Sequence, residues 1–225
     1  MNPQLRLPLG RAPDFSRERF ARSPANAAAQ TQVDAWRAWP GGALALIGPE
    51  GSGKSHLAQI WAAENDGAFL DSPPDDVAQL AGRRLVIENA GAWPDAASLF
   101  HLLNMTQSSG ALLLTSRQAP AGWPAALPDL RSRLNALLVA ELAEPDDIVL
   151  GAVLKTLFAD RHIRPAKEVI PYLLYRMERS IPAARAMVER LDDAASSQRR
   201  EINRALAIEV LEVDNVINDL FHDQD

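Results

Sequence analysis

Short runs that are almost wholly apolar stand at Ala43–Ile47, Ala68–Leu70, Leu85–Glu88, Ala111–Thr115 and Leu137–Leu142. None shows the strict polar alternation of a strand with one wet face. The pattern therefore predicts strands buried on both sides, as in a parallel sheet. Segments able to form helices lie between them, Ser55–Ala63 after the first run and Asp95–Gln107 between the third and fourth. Alternating strands and helices predict a three-layer α/β domain.

After Pro145 the period changes. Leu150, Val153, Leu154, Leu157 and Phe158 recur at helical spacing and would share one face. Val169, Leu173, Leu174 and Met177 form a second stripe, with Pro171 in its first turn or kinking it. Ala184, Met187, Val188 and Leu191 form a third, with Ser180 as its cap, and a fourth begins near Asn203. No strand-like run interrupts residues 146–221, so this part reads as a small all-α bundle. The expected organisation is a flexible tail over residues 1–13, an α/β domain over 14–145 and a helical domain over 146–225. The last four residues, HDQD, should fray.

Composition narrows the chemistry. The 225 residues include 23 basic and 29 acidic side chains, a formal net charge of −6. That balance argues against direct binding to nucleic acid, which draws on a surplus of Lys and Arg. Without a single cysteine there can be no disulfide, Cys-ligated zinc, iron–sulfur cluster or thiol nucleophile. The histidines, His56, His101, His162 and His222, are scattered and predict no metal site. No apolar run approaches the roughly 20 residues that span a bilayer. The first 13 residues, broken by proline, do not resemble an export signal, so a cytoplasmic location is expected. Trp36, Trp39, Trp61, Trp93 and Trp123 are read as core or interface material.

The strongest chemical signal is local. Residues 48–55 read GPEGSGKS, a full match to the phosphate-binding pattern G-x-x-x-x-G-K-[ST], with the apolar ALALI before it and the helix-compatible SHLAQIWAA after it. Gly48, Gly51 and Gly53 allow the backbone to turn successive N–H groups inward, with Pro49, Glu50 and Ser52 between them. Lys54 would meet the β- and γ-phosphates, and the Ser55 hydroxyl would ligate Mg²⁺; His56 follows on the helix. A carboxylate at a neighbouring strand end is needed on the metal side, and Glu88 is the candidate. Asn89 follows it, where a water-activating carboxylate often stands. An amide is a poor proton acceptor, so the chain's own hydrolysis is expected to be weak or absent.

Further segments gain meaning together. FSRERFARSPANAAA at 15–29, LLLTSRQAP at 112–120, LPDLRSRLNALLVAEL at 127–142 and MERSIPAARAMVERLD at 177–192 resemble four successive motifs of AAA+ ATPases of the DnaA group. Within that group the chain is similar to the Hda-like regulatory inactivators of the replication initiator DnaA. The resemblance covers nearly the whole chain. It implies an AAA+ P-loop domain with a parallel sheet followed by a helical lid, and ADP or ATP with Mg²⁺ as ligand. It places Phe20 and Asn26 in the segment that touches adenine. It puts Arg133 at the position of an arginine finger acting in trans, with Arg131 supporting it. Gln4, Leu5, Leu7 and Leu9 resemble the Q-L-x-L-x-L peptide that binds the DNA polymerase sliding clamp, an extended segment offering an amide and apolar side chains to a groove.

Four positions depart from the family pattern. Glu88 replaces an Asp, Asn89 replaces the second acid, Arg117 stands where the sensor-1 Asp is expected, and Pro182 stands where the sensor-2 arginine is expected. Arg179 and Arg185 are the nearby substitutes for the last. The sequence ends at Asp225, so the initiators' DNA-binding domain is expected to be missing. The implied function is clamp-bound stimulation of the hydrolysis of DnaA-bound ATP, which prevents over-initiation. DnaA and the clamp are the implied partners, self-association through the AAA+ interface is allowed, and no membrane is involved. The alternatives are a P-loop small-molecule kinase or ATPase, and an adaptor recruiting DnaA to DNA.

Overall fold

The structure is a computed structural model and describes residues 15–212. The clamp-peptide residues Gln4, Leu5, Leu7 and Leu9, the rest of the tail and the terminal HDQD lie outside the described residues.

Five strands form one parallel sheet in the order β2-β3-β4-β1-β5: β1 (Ala43–Ile47), β2 (Ala68–Phe69), β3 (Arg84–Ile87), β4 (Ala111–Ser116) and β5 (Leu138–Glu141). All five apolar runs contain strands; the central β1, β3 and β4 are buried almost throughout, while the edge strands β2 and β5 keep partly exposed positions, Val139 among them. Alternate residues serve opposite faces. Leu44, Leu46, Val86 and Leu113 pack on one side against α1 (Ala27–Asp34) and α2 (Lys54–Glu64). Ala43, Ala45, Leu85, Ile87, Leu112 and Leu114 face α3 (Ala96–Thr106) and α4 (Pro128–Asn135) on the other. Trp39, Trp61 and Trp123 are buried in the core, and Trp36 and Trp93 pack partly buried against it. Trp39 stacks on Trp61 with ring centroids 5.4 Å apart, and the Trp123 indole N–H donates to the Gln118 carbonyl at 2.8 Å.

The connections leave β1 and β4 in opposite directions. The chain leaving β1 runs through α2 to β2 and then β3, on the far side of β4; the chain leaving β4 runs through α4 to β5, on the far side of β1. A crevice therefore opens at the carboxyl ends of this central pair, the place where open α/β sheets bind ligands.

Beyond β5 the chain is helical: α5 (Asp147–Asp160), α6 (Val169–Arg176), α7 (Ile181–Gln198) and a helical stretch over 204–212. Their apolar stripes meet in a separate cluster around Leu150, Leu154, Phe158, Leu173, Val188 and Leu206. Pro171 sits in the first turn of α6. Ser180 caps α7 by accepting from the Ala183 N–H at 3.2 Å.

Asp146 ties this part to the N-terminal segment. As the cap of α5 it accepts from the Val149 N–H at 2.9 Å. Burial pushes its carboxyl up, but hydrogen bonds from Val149, the Ser23 hydroxyl, Ile148 and Ala25 outweigh this and hold it below its ordinary value. Asp146→Ala is expected to cost about 1 kcal/mol and to lower Tm by about 2–4 °C at pH 7. Since the folded-state pKa is the depressed one, the stabilisation is present above the ordinary carboxylate value near 4 and is lost as pH falls through the folded value. Melting curves of the two proteins should separate at pH 7 and converge in acid.

Candidate functional site

The crevice is floored by the loop that follows β1. β1 ends at Ile47 and α2 begins at Lys54, with Gly53 in a left-handed conformation at its cap. The first turn of α2 thus points its N–H groups back into the loop, as anion-binding loops require. Lys54 folds over the loop and donates to the Gly48 carbonyl at 2.8 Å and the Pro49 carbonyl at 2.7 Å. Burial holds its ammonium below its ordinary value. Arg117 pushes the same way, while Glu50 and Glu88 act against both. The Ser52 hydroxyl is buried in the loop without a hydrogen-bond partner among the described residues. Ser55 is exposed, and so is Glu88, which directly follows β3.

Asn89, next to Glu88, adopts a left-handed conformation (φ 51°), and its N–H donates to the Thr115 hydroxyl of β4 at 3.2 Å. The strand end carrying Glu88 is thereby linked to the strand end carrying Arg117. Among the described residues no group of three or more His, Cys, Asp or Glu side chains is arranged to hold a metal ion. Ser55 and Glu88 would between them offer a Mg²⁺ ion one hydroxyl and one carboxylate, a set that fits only an ion held mostly by phosphates and water.

The N-terminal segment covers one end of the loop. Phe20 approaches Gly53, where an added Cβ would lie 3.6 Å from its ring. His56 is held edge-on between Phe15 and Phe20, with centroids 5.4 and 5.3 Å away, and its Nε2 lies 3.2 Å from the Ser16 carbonyl. Asn26 behaves differently from Phe20. It is buried, its amide donates to the Ala21 carbonyl at 2.8 Å, and its oxygen accepts from the Ser23 N–H at 2.9 Å. These bonds shape the segment that presents Phe20.

The other end of the loop is closed by α7. The Ile181 N–H donates to the Gly51 carbonyl at 3.2 Å. A Cβ on Gly51 would lie 2.6 Å from Pro182 Cδ and 3.0 Å from Ser180 Cβ. The proline in place of an arginine is therefore a packing residue against the loop itself. Arg179, one of the two substitutes, pairs with Asp147 at 2.8 Å; Arg185, the other, is exposed.

Arg131 and Arg133 share α4 but differ in their bonding. Arg131 donates to the Ala121 and Trp123 carbonyls, each at 2.7 Å, and so staples the turn before α4 to the helix. Arg133 has no hydrogen bond or ion pair with the other described residues, Asp129 included. Sequence reasoning missed the partner of Arg117, which pairs with Glu50 of the loop at 2.5 Å. Two exposed, oppositely charged residues 67 positions apart carry no local signal of contact.

No protein-family model matches the chain, and no curated protein matches it. Solved structures do. Domain III of the replication initiation protein DnaA from Thermotoga maritima aligns with a TM-score of 0.73 at 20% identity, covering 89% of this chain and 97% of that one. The Holliday junction branch migration motor RuvB of Thermotoga maritima aligns with a TM-score of 0.70 at 19% identity, covering 89% and 72%. A replication initiator DnaA bound to AMPPCP and single-stranded DNA aligns with a TM-score of 0.64 at 18% identity, covering 84% and 69%. Among the described residues no helix is long and apolar enough to cross a membrane. The fold that this chain shares with these proteins is the AAA+ P-loop fold, a five-stranded parallel sheet between helices with a helical end beyond it.

Proposed function

We propose that the chain is an adenine-nucleotide-binding regulator of replication initiation that acts on ATP-bound DnaA. The observation that carries the nucleotide reading is the loop at residues 48–55. It lies in the crevice between β1 and β4, with Lys54 folded over it, the Ser52 hydroxyl buried and unpartnered, and Glu88 acting electrostatically on Lys54. One structural neighbour, a replication initiator DnaA bound to AMPPCP, supports the same ligand class. Loop N–H groups and Lys54 hold the phosphates, Ser55 and Glu88 would hold a Mg²⁺ ion accompanying them, and Phe20 borders the site on the side of Gly53. The ion, when bound, would supply neutralisation of phosphate charge there. Asn89 supplies an amide and no base, so the bound nucleotide is held and turns over weakly.

The regulatory part rests on Arg133, a cation on the outer helix α4 that is unspent within the described residues. In this reading it enters the nucleotide site of a neighbouring ATP-bound DnaA and stabilises charge on the transferring phosphate. Gln4, Leu5, Leu7 and Leu9 dock the chain on the sliding clamp, and Arg131 keeps α4 in place. An acidic protein brought to DNA by the clamp has no need of its own basic surface.

Retention on immobilised sliding clamp tests the docking step. The intact chain should be retained, and a chain lacking residues 1–9 should flow through with an unchanged circular dichroism spectrum. Equal retention of both would remove the tail from the mechanism. Calorimetric titration with ADP and AMPPCP tests the nucleotide step, and failure of the intact chain to bind either would remove the loop from it.

A further inference from the structure

The short segment that precedes α1 is bonded to both parts of the molecule. Its turn over Arg17–Arg19 carries two arginines with different partners. Arg17 stays on the α/β body. Its guanidinium donates to Glu64, the last residue of α2, at 2.5 and 2.6 Å, and to Asp34, the last of α1, at 2.8 and 3.1 Å. Arg19 crosses to the helical part and donates to both carboxylate oxygens of Asp160, the last residue of α5, at 2.7 and 3.0 Å. An acid at a helix C-terminus faces the negative end of the helix dipole, so Asp160 gains nothing from its own helix and a cation beside it offsets the cost. The other end of α5 is tied to the same segment, since Asp146 accepts from the Ser23 hydroxyl and the Ala25 N–H. The segment therefore meets α5 at both of its ends.

Phe20 directly follows Arg19, so the anchor that fixes one fixes the other. A Cβ on Gly53 would lie 3.6 Å from the Phe20 ring and 3.8 Å from Ile181 Cδ1. The segment and the start of α7 thus both come down on the phosphate loop at Gly53. The Arg19 and Asp160 side chains are 30% and 33% exposed, and an ion pair open to water to that extent breaks and re-forms readily.

We propose that Arg19 is a positioning residue of the nucleotide site and that its bond to Asp160 is a latch on nucleotide release. With the pair closed, Phe20 stays against Gly53 and the helical part is held to the segment. With the pair open, Arg17 keeps the segment on the body while the helical part is free to draw α7 away from the loop, and the nucleotide leaves. The pair lies outside the loop and leaves its N–H groups and Lys54 unchanged, so its effect falls on release and not on capture.

The inference rests on the proposed binding of nucleotide in the loop, and its test separates the two. ADP carrying a fluorescent ribose label is bound to the full chain with magnesium and chased with unlabelled ADP in a stopped-flow instrument. Arg19→Ala and Asp160→Ala should each speed release by about fivefold and leave association within about twofold. The double alanine variant should release no faster than either single one, because both remove the same bond. The reversed pair, Arg19→Asp with Asp160→Arg, should return release to within about twofold of the original, a rescue that a merely structural role for either residue would not give. Unchanged release in the single variants, or no rescue by the reversed pair, overturns the inference while the nucleotide reading stands. Failure of the intact chain to bind the labelled ADP overturns both. Should the alanine variants fail to fold, Asp160→Asn, which keeps the shape and removes the charge, decides the matter through the same release rate.

Discussion

Gly51→Ala is expected to lower Tm by roughly 5–15 °C and to weaken nucleotide binding at least about tenfold. Two penalties act together. Gly51 has φ of 70°, in the left-handed region, where a Cβ costs on the order of 1–2 kcal/mol. That Cβ would also sit 2.6 Å from Pro182 Cδ and 3.0 Å from Ser180 Cβ, so the start of α7 must retreat. Forcing packed groups apart adds about 1–3 kcal/mol. Retreat also endangers the bond from the Ile181 N–H to the Gly51 carbonyl. Gly82→Ala is the control. Gly82 has a similar φ of 77°, but a Cβ there meets nothing within 4 Å. It should lose the backbone penalty alone and keep its nucleotide affinity. Thermal melts and nucleotide titrations on the two variants check this. Equal damage in both would show that contact between α7 and the loop carries no weight.

The second large effect belongs to Arg133. Arginine fingers contribute roughly 10³–10⁵ to phosphoryl-transfer rates. Arg133→Ala should therefore remove almost all stimulation of DnaA-bound ATP hydrolysis while leaving Tm within about 3 °C, since the half-buried side chain has no hydrogen bond or ion pair among the described residues and gives up only the packing of its stem. Arg131→Ala should show the reverse balance. It strips two hydrogen bonds from the Ala121 and Trp123 carbonyls and should cost about 1–3 kcal/mol in stability. Its loss of stimulation should track the loosening of α4. If Arg133→Ala melted early and Arg131→Ala did not, the roles assigned on α4 would be reversed.

The parts of the fold legible in the sequence were those with a one-dimensional signature. Strands buried on both faces are apolar through most of their length, so ALALI and ALLLT announce themselves. The stripes of α5 and α7 did the same at helical period. Two helices of the body carried no such signature. α1 (AAAQTQVD) buries only Ala29, Gln30 and Val33, and its alanines read as neutral. α4 is eight residues long and buries Leu130 and Leu134 alone; Pro128 at its start was the available sign.

The candidate site divides the same way. The loop at 48–55 was readable because its chemistry is packed into eight consecutive positions. The Arg117–Glu50 pair, the docking of Pro182 on Gly51 and the internal bonding of Asn26 depend on sheet register and on the return of a distant helix. No local spacing encodes those. The departures at Arg117 and Pro182, which looked like losses against the family pattern, turn out to be a charged and an apolar contact with the same loop.

The proposed action, driving ATP-bound DnaA to its ADP form when held on DNA by the clamp, is tested most directly by loading DnaA with labelled ATP and following conversion of the bound nucleotide with clamp-loaded DNA, with and without the chain. Conversion should be fast only when the chain, the clamp and DNA are all present. Conversion at the same slow rate with and without the chain would contradict the proposed action.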